Sequence, residues 1–170
     1  HIMQTIKYKA SKFMKKVFPI GATYAPLPKA TEVDIEEWAE DLHNFKKLGL
    51  NTFRLFICWD RIAKSEYEHD FSKVDYAFEL AEKFGLKVIV NVGGTFANLQ
   101  AIYPPRWLVY DKQCTLLKAK PDADNELHFN RFKLCYDDPT FQMEAEKFIK
   151  KAVTRYKGHP SLLAWSGWNE

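Results

Sequence analysis

Apolar residues recur along the chain in two alternating periods. Lys16 to Tyr24, KVFPIGATY, alternates modestly and carries a proline and a glycine, which predicts a short first strand running into the loop APLPKAT. From Asp34 the period changes. Ile35, Trp38, Leu42, Phe45 and Leu48 share one helical face, Asp34 and Glu37 stand three apart as in a capping box, and Gly49 marks the stop. Thr52 to Trp59, TFRLFICW, is β-rich and apolar apart from Arg54, the pattern of a strand covered on both faces. Ser72 with Asp75 opens a second helix that presents Val74, Ala77, Phe78 and Ala81 on one side and stops at Gly85. Lys87 to Val92, KVIVNV, predicts a third strand. Asp138-Pro139 starts a third helix with Phe141, Ala145, Phe148, Ile149, Ala152 and Tyr156 along one side, and SLLAWSGWNE, Ser161 to Glu170, predicts a fourth buried strand.

The resulting order, β-α-β-α-β-α-β, is that of a parallel α/β protein whose helices act as crossovers. A doubly wound fold favours a glycine-rich phosphate turn after its first strand, but the turn here reads TYAPLPKAT. The pattern therefore predicts a (β/α)8 TIM barrel, of which the chain supplies the first four strands and three helices, a half barrel. Residues 1–16, with His1-Ile2 ahead of a methionine and a run of lysines, read as a cloning remnant and basic leader. Residues 17–170 form the half barrel, interrupted by a long loop at about 93–138. That loop holds Phe96, Tyr103, Pro104, Pro105, Trp107 and the polar stretch KAKPDADNE, and it leaves from the C-terminal end of a strand. In barrels that end carries the chemistry, so the loop is expected to face substrate.

Composition narrows the function. With 46% hydrophobic residues in 170, the chain can bury one core. The net charge is only +3, and the basic residues are scattered except for Lys7, Lys9, Lys12, Lys15 and Lys16, which read as a solvated leader, so a nucleic-acid partner is not expected. Three cysteines without CxxC spacing indicate neither a disulfide framework nor a zinc site. No apolar run is long enough to span a bilayer and no signal-peptide core is visible, so no membrane partner is expected, and the compartment is left open. Aromatic residues reach 15%, and exposed rings on a barrel rim stack well on sugars. Trp59, Tyr103, Trp107 and Trp168 are the candidate platforms, each with packing as its alternative role. Arg54 stands in an otherwise apolar strand, where a guanidinium must find carboxylates. Asp60, Glu66, Glu68 and His69 read as a solvated polar turn after that strand.

From Phe18 onward the chain resembles the N-terminal half of the catalytic barrel of a retaining β-glycosidase, most of all the β-galactosidases of glycoside hydrolase family 42. The resemblance is carried, in order, by GLNTFRLFICW, DFSKVDYAFELAEKFGLKVIV, PPRWL and YDDPTFQMEAEKFIKKAVTRYKGHPSLLAWSGWNE. It implies that Glu170 is the general acid/base, that Asn169 bonds the sugar 2-hydroxyl and that Arg54 holds the nucleophile. Retaining hydrolysis needs a second carboxylate about 5 to 5.5 Å from the first. In the clan it sits on the seventh strand, outside this chain, so the chain alone is expected to be inactive. Its implied partners are a carbohydrate substrate and the C-terminal half of the same barrel, as a second segment or chain. No metal or organic cofactor is required. Asn169 and Glu170 are adjacent, so they can share a site only if the strand bulges or ends beside them. Two stretches differ from the family pattern: Ala63 and Lys64 stand where an acidic residue and a proline are usual, and the third strand runs into NVGGTF. A β-mannosidase, mannanase or glucanase of the same clan is therefore a second reading. A non-catalytic half barrel, as carbohydrate binder or assembly module, is a third.

Overall fold

The computed structural model describes residues 18–24, 35–92, 105–115 and 135–167. Four strands, β1 (Gly21–Tyr24), β2 (Thr52–Phe56), β3 (Lys87–Asn91) and β4 (Leu162–Ser166), form one parallel sheet in the order β1-β2-β3-β4. Three helices, α1 (Ile35–Lys47), α3 (Ser72–Phe84) and α5 (Pro139–Tyr156), lie between successive strands in the chain. Two short helices, α2 (Trp59–Ile62) and α4 (Arg106–Tyr110), follow β2 and β3. Each strand docks beside its predecessor on the same side, without the reversal of strand order that defines a doubly wound sheet. The sheet therefore grows in one direction, as the wall of a barrel does.

Local chemistry explains most boundaries. Gly49 and Gly85 follow α1 and α3 at φ 81° and 65°, a left-handed conformation that glycine adopts without a Cβ clash. Asp138 caps α5, its Oδ1 accepting from the backbone N–H groups of Thr140 and Phe141 at 2.9 and 3.0 Å, with Pro139 at the first helical position. Those bonds, with one from Thr115, hold its carboxyl down to about 2. The start of α3 differs from expectation. Ser72 is the first helical residue and not the cap: Phe71 holds the cap position without a side-chain cap bond, and Asp70 Oδ1, one residue earlier, accepts from Ser72 N–H at 2.9 Å. Asp75 instead takes both guanidinium bonds of Arg155, at 2.7 and 2.6 Å, and the Tyr156 hydroxyl at 2.7 Å, tying α3 to α5. Leu48 also departs from the predicted face: the helix closes at Lys47, the chain turns, and Leu48 is 77% exposed.

One face of the sheet packs against the helices. Phe53, Leu55, Val88 and Val90 are fully buried there with Trp38 and Leu42 of α1, Phe78 of α3 and Phe148 of α5. Side chains alternate along each strand, so the residues between them line the opposite, inner face. In register across the sheet, Thr23, Arg54, Ile89 and Ala164 make one inner row, and Phe56, Asn91 and Ser166 make the row above it, nearer the C-terminal ends. The register slips between Val88, paired with Leu162, and Ile89, paired with Ala164, so β4 carries one extra residue at Leu163.

Candidate active site

The predicted strand TFRLFICW ends early. β2 stops at Phe56, and Trp59 begins the turn of α2. Trp59 is 3% exposed and its ring stacks on Phe148 at 5.4 Å, with Phe141 at 6.2 Å. The expectation of a sugar platform at Trp59 is therefore not met, because the ring is spent on the helix-facing core. Trp107, in α4, is half-buried, and its indole N–H donates to the Ala63 carbonyl at 3.1 Å, pinning the excursion after β3 onto the loop after β2. Tyr103, Trp168, Asn169 and Glu170 lie outside the described residues, as do Asp34, Phe96 and NVGGTF beyond Val92.

Arg54 does reach the inner face. Its Nη2 donates to the Ser166 hydroxyl at 3.4 Å and its guanidinium lies over the Phe56 ring, 4.8 Å from the centroid. Among the described residues no carboxylate pairs with it, so the expected ion pair has no partner within these strands. Below it, an open cavity of about 270 Å³ is lined by Gly21, Thr23, Thr52, Arg54 and Ile89, which leaves the inner wall accessible between β1 and β2.

Two residues joined to this site carried little sequence signal. Asn91 closes β3, is 0% exposed, and its Nδ2 donates to the same Ser166 oxygen at 3.3 Å. Its Oδ1 is buried with no hydrogen-bond partner among the described residues, which costs about 1 to 3 kcal/mol. The available clue was position: a polar residue ending a buried strand, repeated by Ser166 at the end of β4.

Asp60 corrects the expectation of a solvated turn. Its side chain is only 15% exposed, its Oδ2 lies 3.5 Å from Arg61 Nε, and its Oδ1 is buried without a partner among the described residues. Desolvation pushes the carboxyl up to about 6, although Arg61 and Lys64 pull it down. The folded state thus holds this proton more tightly than the unfolded chain does. That contribution to stability is complete below about pH 4 and is lost as pH rises through 6. Asp60→Asn, which carries no charge to desolvate, is expected to match the parent at pH 4 and to be more stable by about 2 to 3 kcal/mol at pH 7. Urea unfolding at both pH values measures this, and a stability difference that does not change with pH would refute the burial argument.

Neighbouring Cys58 is buried, and desolvation pushes its thiol up to about 12, so it stays protonated at neutral pH and is no nucleophile. The three cysteines are free thiols. Among the described residues no group of His, Cys, Asp and Glu has the make-up of a metal site, and no helix there is long and apolar enough to cross a membrane.

A parallel sheet grown in one direction, with an arginine on its inner face and polar side chains at its strand tips, defines this chain as the N-terminal half of a (β/α)8 barrel. The family model described as beta-galactosidase, glycoside hydrolase family 42, matches residues 27–170. The chain belongs to that family. Beta-galactosidase LacZ of Heyndrickxia coagulans is 30% identical over 154 residues, which are 90% of this chain and 21% of that protein. The solved beta-galactosidase of the Antarctic haloarchaeon Halorubrum lacusprofundi superposes with TM-score 0.73 at 23% identity, over 90% of this chain and 21% of its own. An exo-beta-1,4-mannosidase from Opitutaceae bacterium strain TAV5 gives TM-score 0.63 at 22% identity, over 91% and 25%. The chain spans about a fifth of the length of the curated relatives it matches.

Proposed function

We propose that this chain is the N-terminal half of the catalytic domain of a retaining β-galactosidase. Glu170 is the acid/base, Asn169 binds the sugar 2-hydroxyl, and Tyr103 and Trp168 are sugar-stacking residues. The observation that carries the reading is the family match, which runs through Asn169 and Glu170. Arg54 supports it: a guanidinium on the inner face with one donor engaged among the described residues has others left for a carboxylate.

In the proposed cycle a carboxylate from the rest of the barrel attacks the anomeric carbon while Glu170 protonates the departing glycosidic oxygen. Water then attacks the glycosyl-enzyme, giving its proton to Glu170 and releasing the carboxylate. Arg54 orients that carboxylate and keeps it ionised before attack. The chemistry calls for no metal or organic cofactor. The remaining strands come from the part of the protein that corresponds to the other four-fifths of its relatives.

One observation favours a second reading, β-mannosidase specificity. Ala63 and Lys64 stand where an acidic residue and a proline are usual, so the acidic side chain that the family offers from the loop after β2 is missing at this position. Rates on aryl β-galactosides, β-mannosides and β-glucosides, with the barrel complete, separate the two. The galactoside is expected to lead by at least about tenfold, a margin one well-placed hydroxyl contact provides. A leading mannoside favours the second reading, and no hydrolysis of any of the three defeats both.

A further inference from the structure

We propose that Asn91 and Ser166 are positioning residues that set the Arg54 guanidinium for the reaction, an inference that rests on the reading of Arg54 as a site residue. Arginine on a strand has several rotatable bonds, and a lone serine hydroxyl is a weak tether because it can rotate away. Here the hydroxyl is itself held. Ser166 Oγ receives Arg54 Nη2 at 3.4 Å and Asn91 Nδ2 at 3.3 Å, so two donors from two other strands meet on one oxygen. A hydroxyl oxygen has two acceptor sites, and both are then occupied. The Phe56 ring, in the same row as Asn91 and Ser166, supports the plane of the guanidinium. Three neighbouring strands thus contribute to one arrangement, and each partner side chain stands on the last residue of its strand.

Asn91 carries a second sign of function. It is fully buried, yet its Oδ1 meets no donor among the described residues. A position used only for packing is better served by leucine, which has nearly the same shape and no polar atom to leave unmet. An amide kept there against stability is the pattern of a site residue.

The test compares Asn91→Leu, Ser166→Ala, Arg54→Lys and the Asn91→Leu/Arg54→Lys double variant in the purified protein with its barrel complete. Asn91→Leu is expected to keep or raise the Tm while kcat and kcat/KM fall together by about 10- to 100-fold, the loss that follows a small misplacement of a reacting group. Ser166→Ala should lose activity in the same way. The double variant should be no slower than Arg54→Lys alone, because Asn91 acts through that side chain. An Asn91→Leu protein with lowered Tm and unchanged kcat would make the amide structural and overturn the proposal. Multiplying losses in the double variant would overturn it as well. A protein without glycosidase activity defeats the proposed function together with this inference, whereas an active protein whose kcat ignores Asn91→Leu and Ser166→Ala defeats this inference alone.

Discussion

Glu170→Gln is expected to lower turnover of alkyl β-galactosides by about 10²- to 10⁴-fold while leaving the Tm of the protein unchanged. The glutamine keeps the shape and loses the transferable proton. The departing alkoxide is then expelled unprotonated, and the water of the second step has no base. The size of the loss should depend on the leaving group. A dinitrophenolate needs no proton to depart, so bond cleavage with that substrate should be almost unaffected and the deficit should move to hydrolysis of the glycosyl-enzyme. An initial burst of dinitrophenol followed by slow turnover is the expected trace. The pH profile should change too: the limb that reports ionisation of the acid is expected to vanish from kcat/KM. A variant with parental rates on alkyl galactosides would remove Glu170 from the mechanism, whatever the family resemblance.

The second large effect concerns the fold. Phe148→Ala is expected to destabilise the protein by about 3 to 5 kcal/mol, a large share of the 5 to 15 kcal/mol typical of a domain. Phe148 is 2% exposed and stands at the centre of an aromatic cluster: Trp59 stacks on it at 5.4 Å, Phe71 at 6.2 Å and His69 at 6.4 Å. Those neighbours belong to the segment between β2 and α3, so one ring on α5 holds the connection that also carries Asp60. Removing it leaves a cavity that the flat rings around it cannot collapse to fill. Thermal unfolding should show a Tm lowered by about 10 to 15 °C, and Phe148→Leu should recover most of it. A drop of only one or two degrees would mean that the cluster is looser than its geometry.

The crossovers were legible because their signals are local. A helix that stops at a glycine and a short apolar run that follows appear twice, at Gly49 and Gly85, and both glycines do take the left-handed turn. Asp138-Pro139 caps α5 as the dipeptide suggests. Strand interiors were less legible. TFRLFICW is apolar on both faces, so nothing in it marks which residues look inward or where β2 ends, and of the two roles open to Trp59, platform or packing, its ring takes packing against Phe148. Asp60 looked solvated because charged neighbours surround it in the chain; packing leaves its side chain 15% exposed. α3 begins at Ser72 with Phe71 at the cap position, Asp70 takes the Ser72 N–H, and Asp75 bridges to Arg155.

By itself the sequence determined the alternation of strand and helix, the parallel class and the family, since periodicity, capping and ordered motifs need no knowledge of distant partners. The tertiary structure alone decided what Arg54 touches. Ser166 is 112 positions away from it, and Asn91 is 75 positions from Ser166. Only the register of parallel strands brings such residues into adjacent rows of one face, and register is set by how the whole sheet packs on its helices.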